Sequence, residues 1–350
     1  MLRHVLMPLS RILVLMLLCV VLALLTPAFL VPQNLINVLR QASLMIILST
    51  GLTMVILTGG IDLSVASVLA VTGTLSAMLM TSGVPWPIAA AAGLAAATLA
   101  GLINGLMVAV VRLPPFIATY GMMWIAQGLA VLIARSEIFF GFPEPFLFLG
   151  RGSVAGIPTP IILMVIVIAL VWLVLNRTPF GRETYAIGAN PVAARLSGID
   201  LRTNLLILYT SSGFLSGFAG LVFISRINAA SAEISNDLLL PAIGAVVIGG
   251  TSLFGGEGGI RGTVVGALIM TVLINGMNLL NISSFWQLSA VGVLIIVAVL
   301  LDQWVRGLES RAEGRRSIRS PAPGAQMAMG VGGTSVALGD AKDSGAAIGK

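Results

Sequence analysis

The stretch 87–111, PIAAAAGLAAATLAGLINGLMVAVV, has 25 residues and no charged side chain. A helix of about 20 apolar residues spans the roughly 30 Å hydrocarbon layer of a bilayer, so this stretch predicts a transmembrane helix. Further apolar runs of this kind occur at 12–30, 42–57, 63–80, 116–134, 160–175, 205–224, 238–254, 263–280 and 285–301. The sequence therefore predicts an all-α polytopic membrane protein with about ten transmembrane helices.

The composition supports the same class. Of the 350 residues, 57% are hydrophobic and only 9% are charged, and the mean hydropathy is +1.05. Soluble domains carry roughly 25% charged residues, so a soluble fold is excluded. The net charge of +6 comes from basic residues that are scattered over loops and the C-terminal segment, without aromatic residues between them. This distribution argues against a nucleic-acid partner and indicates orientation in a membrane.

The arginines near the ends of the apolar runs predict that orientation. With a cytoplasmic N-terminus, thirteen arginines lie inside and four lie outside, namely Arg40, Arg135, Arg151 and Arg226. Positive charge favours the cytoplasmic side, so both termini are expected there. Residues 1–305 are predicted to form the transmembrane domain. The segment 306–350, which is basic and then rich in Gly, Ala and Ser, is predicted to be a disordered cytoplasmic tail.

A six-residue pattern occurs twice, as LINGLM at 102–107 and as LINGMN at 273–278. The fourth and ninth predicted spans carry the two copies, and these spans run in opposite directions across the membrane. An inverted repeat of spans 2–5 against spans 7–10 would produce this relation, and such repeats are common in transporters. The sequence therefore predicts an internal repeat.

Two glycines interrupt the chain between the second and third spans, in TGGIDLS at 58–64. Gly59 and Gly60 break the helix, and Asp62 is placed to cap the next helix by accepting hydrogen bonds from the N–H groups of its first turn. A carboxylate among apolar helices must be enclosed by protein or face water. Gly59, Gly60, Asp62 and Ser64 can also line a translocation path, and the two roles are compatible.

The longest charged loop, 176–204, contains a short helix with clear ends. Asn190 is a typical N-cap, Pro191 suits the first helical position, and Gly198 follows the last turn. A short amphipathic helix of this kind can lie on lipid headgroups. Its brevity and its alanine-rich face instead favour insertion into a groove on a partner protein.

Glycines are also concentrated at 240–262, in and after the eighth apolar run, and they predict a broken helix with re-entrant backbone. Phosphate-loop spacing is absent, because Gly256-x-Gly258 lacks the third glycine and the segment 345–350, GAAIGK, lacks the following Ser or Thr. Cys19 is the only cysteine and His4 the only histidine. We therefore expect no catalytic residue, no metal site and no cofactor, and the chain cannot hydrolyse ATP by itself.

Three segments resemble the ribose-type sugar permeases of bacterial ATP-binding-cassette importers. They are GGIDLSVAS at 59–67, FGRETYAIGANPVAARLSGI at 180–199 and LPAIGAVVIGGTSLFGGEGG at 240–259. The resemblance extends over 34–302, although position 66 is Ala where the family often has Gly. It implies a permease subunit of the bacterial inner membrane that forms the path for a monosaccharide. Branched-chain amino acids are the alternative substrate class.

The resemblance also implies partners. Two permease subunits pair, and we expect the pair to be a homodimer that is surrounded by membrane lipid. Two ATPase subunits dock beneath the pair, and a periplasmic binding protein delivers the sugar. The helix at 190–198 would be the coupling helix. The expected ATPase-coupling residues are Gly181, Arg182, Gly188, Asn190, Pro191, Ala194, Arg195 and Gly198. An ion-coupled secondary transporter is the alternative mechanism, but the acidic residues near apolar runs, Asp62 and Glu257, both lie at helix breaks.

A row of aromatic residues marks the fifth span. Phe116, Tyr120 and Trp124 follow one another at four-residue spacing, and Gln127 lies near the same face. Aromatic rings and an amide can contact both the C–H face and the hydroxyls of a sugar. Packing against a neighbouring helix or a place in the interfacial aromatic belt is the alternative. We expect part of this face to line the sugar path at the dimer axis, together with Asn104 and Asn275 of the repeated motif.

Overall fold

A computed structural model describes residues 2–233, 237–297 and 300 of the chain. The helices are α1 Leu2–Leu25, α2 Pro32–Ile56, α3 Val65–Thr81, α4 Trp86–Ala109, α5 Pro115–Ala134, α6 Glu144–Arg151, α7 Thr159–Arg177, α8 Pro179–Ala189, α9 Pro191–Leu196, α10 Leu201–Ile227, α11 Leu239–Ile248, α12 Ile260–Leu279 and α13 Ser284–Val297. A short 3-10 helix, Pro27–Leu30, follows α1. Four two-residue strands form antiparallel pairs, β1 Phe139–Phe140 with β4 Ala229–Ala230 and β2 Ser153–Val154 with β3 Ile157–Pro158.

Among the described residues, an apolar helix overlaps each of the ten predicted runs. Within the described ranges, α2, α4, α5, α7, α10 and α12 are long and apolar enough to cross a membrane, and α3, α11, α13 and the Ser10–Leu25 part of α1 are shorter apolar helices. The predicted all-α polytopic membrane fold is confirmed. The predicted division at 305 and the predicted tail 306–350 lie outside the described residues.

Proline and left-handed residues set the helix ends. Pro32 and Pro115 each begin a span. Proline is tolerated there because the N–H group of a first helical residue has no partner within the helix. At the opposite ends, Arg135 closes α5 with φ 49° and Asn228 closes α10 with φ 57°, which is the left-handed conformation of a helix C-cap. Local sequence therefore explains the starts of α2 and α5 and the ends of α5 and α10.

Two central helices organise the packing. Every residue of α2 from Ala42 to its end is buried, and the helix packs along α10. Small residues allow the close approach, since a Cβ on Gly51 would lie 3.3 Å from the Cα of Ser212. Small residues are the usual means of close helix contact where lipid provides no hydrophobic drive.

The helix contacts repeat between the two halves. α10 packs on α3 and α4, α2 packs on α11 and α12, and the pairs α3–α4 and α11–α12 are themselves in contact. α5 packs on α3, and Ile295 of α13 approaches Gly244 of α11 in the same relation. Exchanging α2–α5 with α10–α13 therefore maps these contacts onto one another, which supports the predicted repeat of spans 2–5 and 7–10.

Candidate functional site

The three glycine-rich or loop segments singled out in the sequence meet at one place. The Leu57 carbonyl, just after α2, accepts a hydrogen bond of 2.9 Å from Gly256 N. Gly188 of α8 packs against both, so closely that a Cβ there would overlap Leu57 O and Gly256 N. The Tyr185 hydroxyl donates to Gly258 O at 3.1 Å. We call this contact of residues 57–60, 185–189 and 255–259 the glycine junction.

The glycine junction is built from backbone surfaces. Gly59 has φ 76° and Gly256 has φ 75°, a conformation that favours glycine. A Cβ on Gly59 would also lie 3.1 Å from Phe254 O, and one on Gly256 would lie 3.0 Å from Ala189 Cα. Both backbone geometry and space therefore require glycine here. The broken helix predicted at 240–262 is confirmed, because α11 ends at Ile248 and α12 begins at Ile260.

A buried polar cluster lies directly after this junction. Asp62 is 1% exposed, and its Oδ1 accepts hydrogen bonds from Ser64 N at 3.0 Å and Ser64 Oγ at 2.7 Å. Its Oδ2 accepts from Ser212 Oγ of α10 at 2.8 Å. Asn104 of α4 donates to Ser64 Oγ at 2.9 Å. These bonds connect the break after α2 to α4 and α10, so the carboxylate holds three parts of the membrane domain together.

Tyr209 of α10 completes the polar cluster. It is 0% exposed, and its hydroxyl lies where a Cβ on Gly60 would be only 2.6 Å away. The Tyr209 hydroxyl and Asn104 Oδ1 are buried without a hydrogen-bond partner among the described residues. Asp62, Ser64, Asn104, Tyr209 and Ser212 are named the polar cluster below.

The predicted cap of α3 by Asp62 is wrong in its position. α3 begins at Val65, its N-cap is Ser64, and no side chain caps its first turn. The Asp62 carboxylate instead accepts the N–H two residues ahead, as in an Asx-turn, which precedes the helix. The other carboxylate oxygen accepts a hydrogen bond from Ser212 Oγ. Local sequence cannot predict this bond, because Ser212 lies 150 positions away.

The predicted helix in the long loop is confirmed as α9. Asn190 Oδ1 accepts hydrogen bonds from Val192 N and Ala193 N, each at 3.0 Å, and Pro191 occupies the first helical position. Gly198 follows the helix with φ 83°. These are the local interactions of a capped helix, so the sequence alone was sufficient to locate it.

The expected coupling residues divide into packed and exposed groups. Ala194 is only 4% exposed, whereas Val192 and Leu196 are 67% and 84% exposed and lie one turn apart on α9. Gly181 and Gly188 pack against backbone inside the protein. Exposed positions in this region include Arg182, Asn190, Pro191, Arg195 and Gly198. The outer face of α9 therefore carries Val192 and Leu196, and Ala194 points inward.

The aromatic row of α5 lies on the outside of the single chain. Phe116, Tyr120 and Trp124 are 57%, 44% and 60% exposed. The first two rings stack with centroids 5.7 Å apart, and Tyr120 meets Trp124 edge-on at 6.3 Å. We call these three residues the aromatic stripe. Gln127 does not extend it freely, because its Nε2 donates to Ala232 O at 3.0 Å.

The two asparagines of the repeated motif do not join the aromatic stripe. Asn104 is 0% exposed within the polar cluster. Asn275 exchanges two amide hydrogen bonds of 3.0 and 3.1 Å with Asn34 and so ties α12 to the start of α2. The structure thus separates Asn104 and Asn275 from each other and from the aromatic face with which we expected them. Asn34, Tyr209 and Ser212 were not identified as site residues from the sequence. The only feature that could have indicated them is a polar side chain beside or inside an apolar run.

Comparisons with known proteins agree with the resemblance seen in the sequence. The family model described as branched-chain amino acid transport system / permease component matches residues 34–300. The chain is 42% identical over 291 residues to a ribose import permease protein of Bacillus subtilis, covering 83% of this chain and 90% of that protein.

Two further relatives are named for other sugars. A D-allose transport system permease protein of Escherichia coli is 37% identical, over 79% of this chain and 85% of its own length. A fructose import permease protein of Rhizobium meliloti is also 37% identical, over 77% of each chain. No solved structure matches the chain.

Proposed function

The chain belongs to the permease-component family of the branched-chain amino acid transport system, and we propose that it forms the path for a monosaccharide in a bacterial ATP-binding-cassette importer. The family description mentions amino acids, but the relatives quoted above are named for ribose, allose and fructose. Those three share a small, neutral, polyhydroxylated ring. This common chemistry supports a monosaccharide as the substrate class.

The glycine junction is the observation that carries the mechanism. α8 contacts the break after α2 through Gly188 and the loop before α12 through Tyr185. α9 follows α8 directly and exposes Val192 and Leu196. A partner that moves α9 would therefore displace α8 against both breaks in the membrane domain. Such a linkage is what an ATP-driven importer needs and what an ion-coupled transporter has no use for.

The partner that moves α9 is an ATPase subunit in this proposal. Val192 and Leu196 provide an apolar pair for a groove, and the exposed Arg182 and Arg195 add positive charge beside it. The loop that carries α8 and α9 lies in the cytoplasm, and both termini lie on the same side. A periplasmic binding protein delivers the sugar from the opposite side.

The sugar path lies at the axis between two copies of this chain. The aromatic stripe supports this place, because its rings are exposed on the single chain and would face a second copy. Rigid aromatic rings provide stacking surfaces for the C–H faces of a sugar. The polar cluster, by contrast, is enclosed in protein, so Asp62, Ser64, Asn104 and the glycines before them shape the helix break. Asn275 joins α12 to α2, and Gln127 joins α5 to the loop after β4.

Uptake by reconstituted vesicles tests the proposal. Vesicles that contain the chain, its ATPase and the binding protein are expected to accumulate a radiolabelled monosaccharide when ATP is supplied. Vesicles with the chain alone should accumulate none under a proton or sodium gradient. Gradient-driven uptake without the ATPase would contradict the proposal, as would ATP-driven uptake of leucine in preference to every monosaccharide tested.

A further inference from the structure

A cavity of about 780 Å³ opens beside the glycine junction, between α1, α7, α8 and the start of α12. This volume falls in the range of ordinary small-molecule sites. Its polar wall consists of Arg11, Trp172, Asn176, Tyr185, Glu257 and Arg261. Tyr185 and Glu257 belong to the glycine junction, but Arg11, Trp172, Asn176 and Arg261 have no role in the proposed function, so this wall needs an explanation of its own.

Positive charge dominates this wall. Two guanidinium groups, from Arg11 and Arg261, stand against one carboxylate, from Glu257. The guanidinium groups of Arg177 and Arg261 each lie 5.6 Å from the ring centroid of Trp172, and of these two cations Arg261 lines the cavity. Arginine is well suited to bind phosphate, since it can donate two parallel hydrogen bonds. The charge and the donors therefore match an anion.

The surroundings of the cavity indicate how the anion arrives. Trp172 and Arg177 lie at the end of α7, and tryptophan and arginine at a span end are typical of the membrane–water interface. Ile12 of α1 lines the cavity and is 46% exposed, and Met16, one turn further along, is 61% exposed. An apolar face thus leads from the cavity along α1, and it suits an acyl chain. A soluble phosphate would have no use for it.

We propose that this cavity binds the phosphate headgroup of an anionic phospholipid from the cytoplasmic leaflet. The proposal rests on the orientation given under the proposed function. Basic pockets between membrane helices on the cytoplasmic side are known to bind anionic headgroups as a class. Arg11 and Arg261 contact the phosphate, Asn176 donates an amide hydrogen bond, and the acyl chains follow α1.

The bound lipid also acts on the glycine junction. Tyr185 forms part of the cavity wall and at the same time donates its hydroxyl to Gly258 O. Burial raises the pKa of the Tyr185 hydroxyl, so it remains a neutral donor at physiological pH. A headgroup in the cavity holds α8 against the loop at 255–259. Coupling between α9 and the helix breaks is therefore expected to depend on anionic lipid.

Native mass spectrometry of the assembled importer in detergent tests the binding. Added phosphatidylglycerol is expected to be retained more tightly than added phosphatidylcholine. Arg11→Gln and Arg261→Gln should each weaken phosphatidylglycerol binding about fivefold, the factor that corresponds to ~1 kcal/mol per basic residue at an anionic surface. Arg112→Gln is the matched control, because Arg112 is an exposed arginine of the α4–α5 loop, outside the cavity wall. Equal retention of both lipids, or equal losses in all three variants, would overturn the proposal.

Two further measurements distinguish lipid binding from the binding of a soluble phosphate and from the importer function itself. Glycerol 1-phosphate at millimolar concentration should not displace phosphatidylglycerol, and displacement would mean that the cavity takes a soluble phosphate instead. In vesicles, ATP-driven sugar uptake by the unchanged importer should rise severalfold when phosphatidylglycerol replaces phosphatidylcholine. The variant that combines Arg11→Gln with Arg261→Gln should lose this response. Sugar uptake that is equal in both lipids would leave the importer function intact and end the lipid proposal alone.

Discussion

The polar cluster and the aromatic stripe hold the most distinctive side chains of the membrane domain, and they meet opposite surroundings. Asp62 is 1% exposed and accepts three hydrogen bonds, whereas Trp124 is 60% exposed. Buried and bonded side chains fix a conformation, and exposed rings remain free to contact something else. The difference indicates a structural role for the first region, and the proposed function gives substrate contact to the second, so the two roles are separable by mutation.

The largest effect is expected at the glycine junction, which adjoins the polar cluster. In Gly188→Ala the new Cβ overlaps the backbone at Leu57 and Gly256, and backbone cannot move aside as a side chain can. Overpacking of this kind should cost about 3 kcal/mol of stability and abolish uptake. Thermal unfolding in detergent and uptake in vesicles measure both. Gly292→Ala, where a Cβ meets open space, serves as control and should change neither.

A smaller loss is expected from Asp62→Ala. The change leaves three buried donors without an acceptor, namely Ser64 N, Ser64 Oγ and Ser212 Oγ, at a cost of about 2 kcal/mol. Asp62→Asn keeps one acceptor oxygen and should recover much of the unfolding temperature. If both variants unfold like the unchanged protein but have a raised KM for sugar uptake, then Asp62 contacts the sugar and the comparison fails.

Trp124→Ala tests the other region. Because the ring is largely exposed, the unfolding temperature should remain within about 1 °C. Uptake should fall about two- to tenfold, since stacking on an aromatic ring contributes roughly 0.5–1.5 kcal/mol. Ile125→Ala is the matched control, because Ile125 is 58% exposed on a different side of the same helix. Equal uptake by the two variants would indicate that the stripe faces lipid.

The smallest perturbation distinguishes buried from exposed positions on α9. Leu196→Cys should crosslink to a cysteine in the ATPase groove, because Leu196 is 84% exposed. Ala194→Cys should not, because Ala194 is 4% exposed. Neither variant is expected to lower stability by more than about 1 kcal/mol. Crosslinking is read on denaturing gels, and a reversed pattern would place the inner face of α9 against the partner.

Local physics explains what the sequence could predict. The ten apolar runs are long enough to identify the spans, and the Asn190 cap with Pro191 lies within one helical turn. Contacts between distant residues have no such signature. The bond from Ser212 to Asp62 and the pairing of Asn34 with Asn275 join residues that lie 150 and 241 positions apart.

Periodicity also identified the aromatic stripe but not its neighbours. The four-residue spacing placed Phe116, Tyr120 and Trp124 on one helix face, and the structure stacks the rings in that order. The repeated LING motif made Asn104 and Asn275 look equivalent. Their surroundings differ, because Asn104 donates to Ser64 Oγ in the polar cluster whereas Asn275 pairs with Asn34 near the start of α2.

In the proposed mechanism, movement passes through the glycine junction, whose contacts apart from the Tyr185 hydroxyl join peptide groups. A joint of this kind has no side chain that an altered sugar specificity would need to change. Under the proposed function, the residues that couple to the ATPase and the residues that contact the sugar therefore belong to separate parts of the protein. A redesigned aromatic stripe could recognise another sugar while α8, α9 and their ATPase continue to work unaltered.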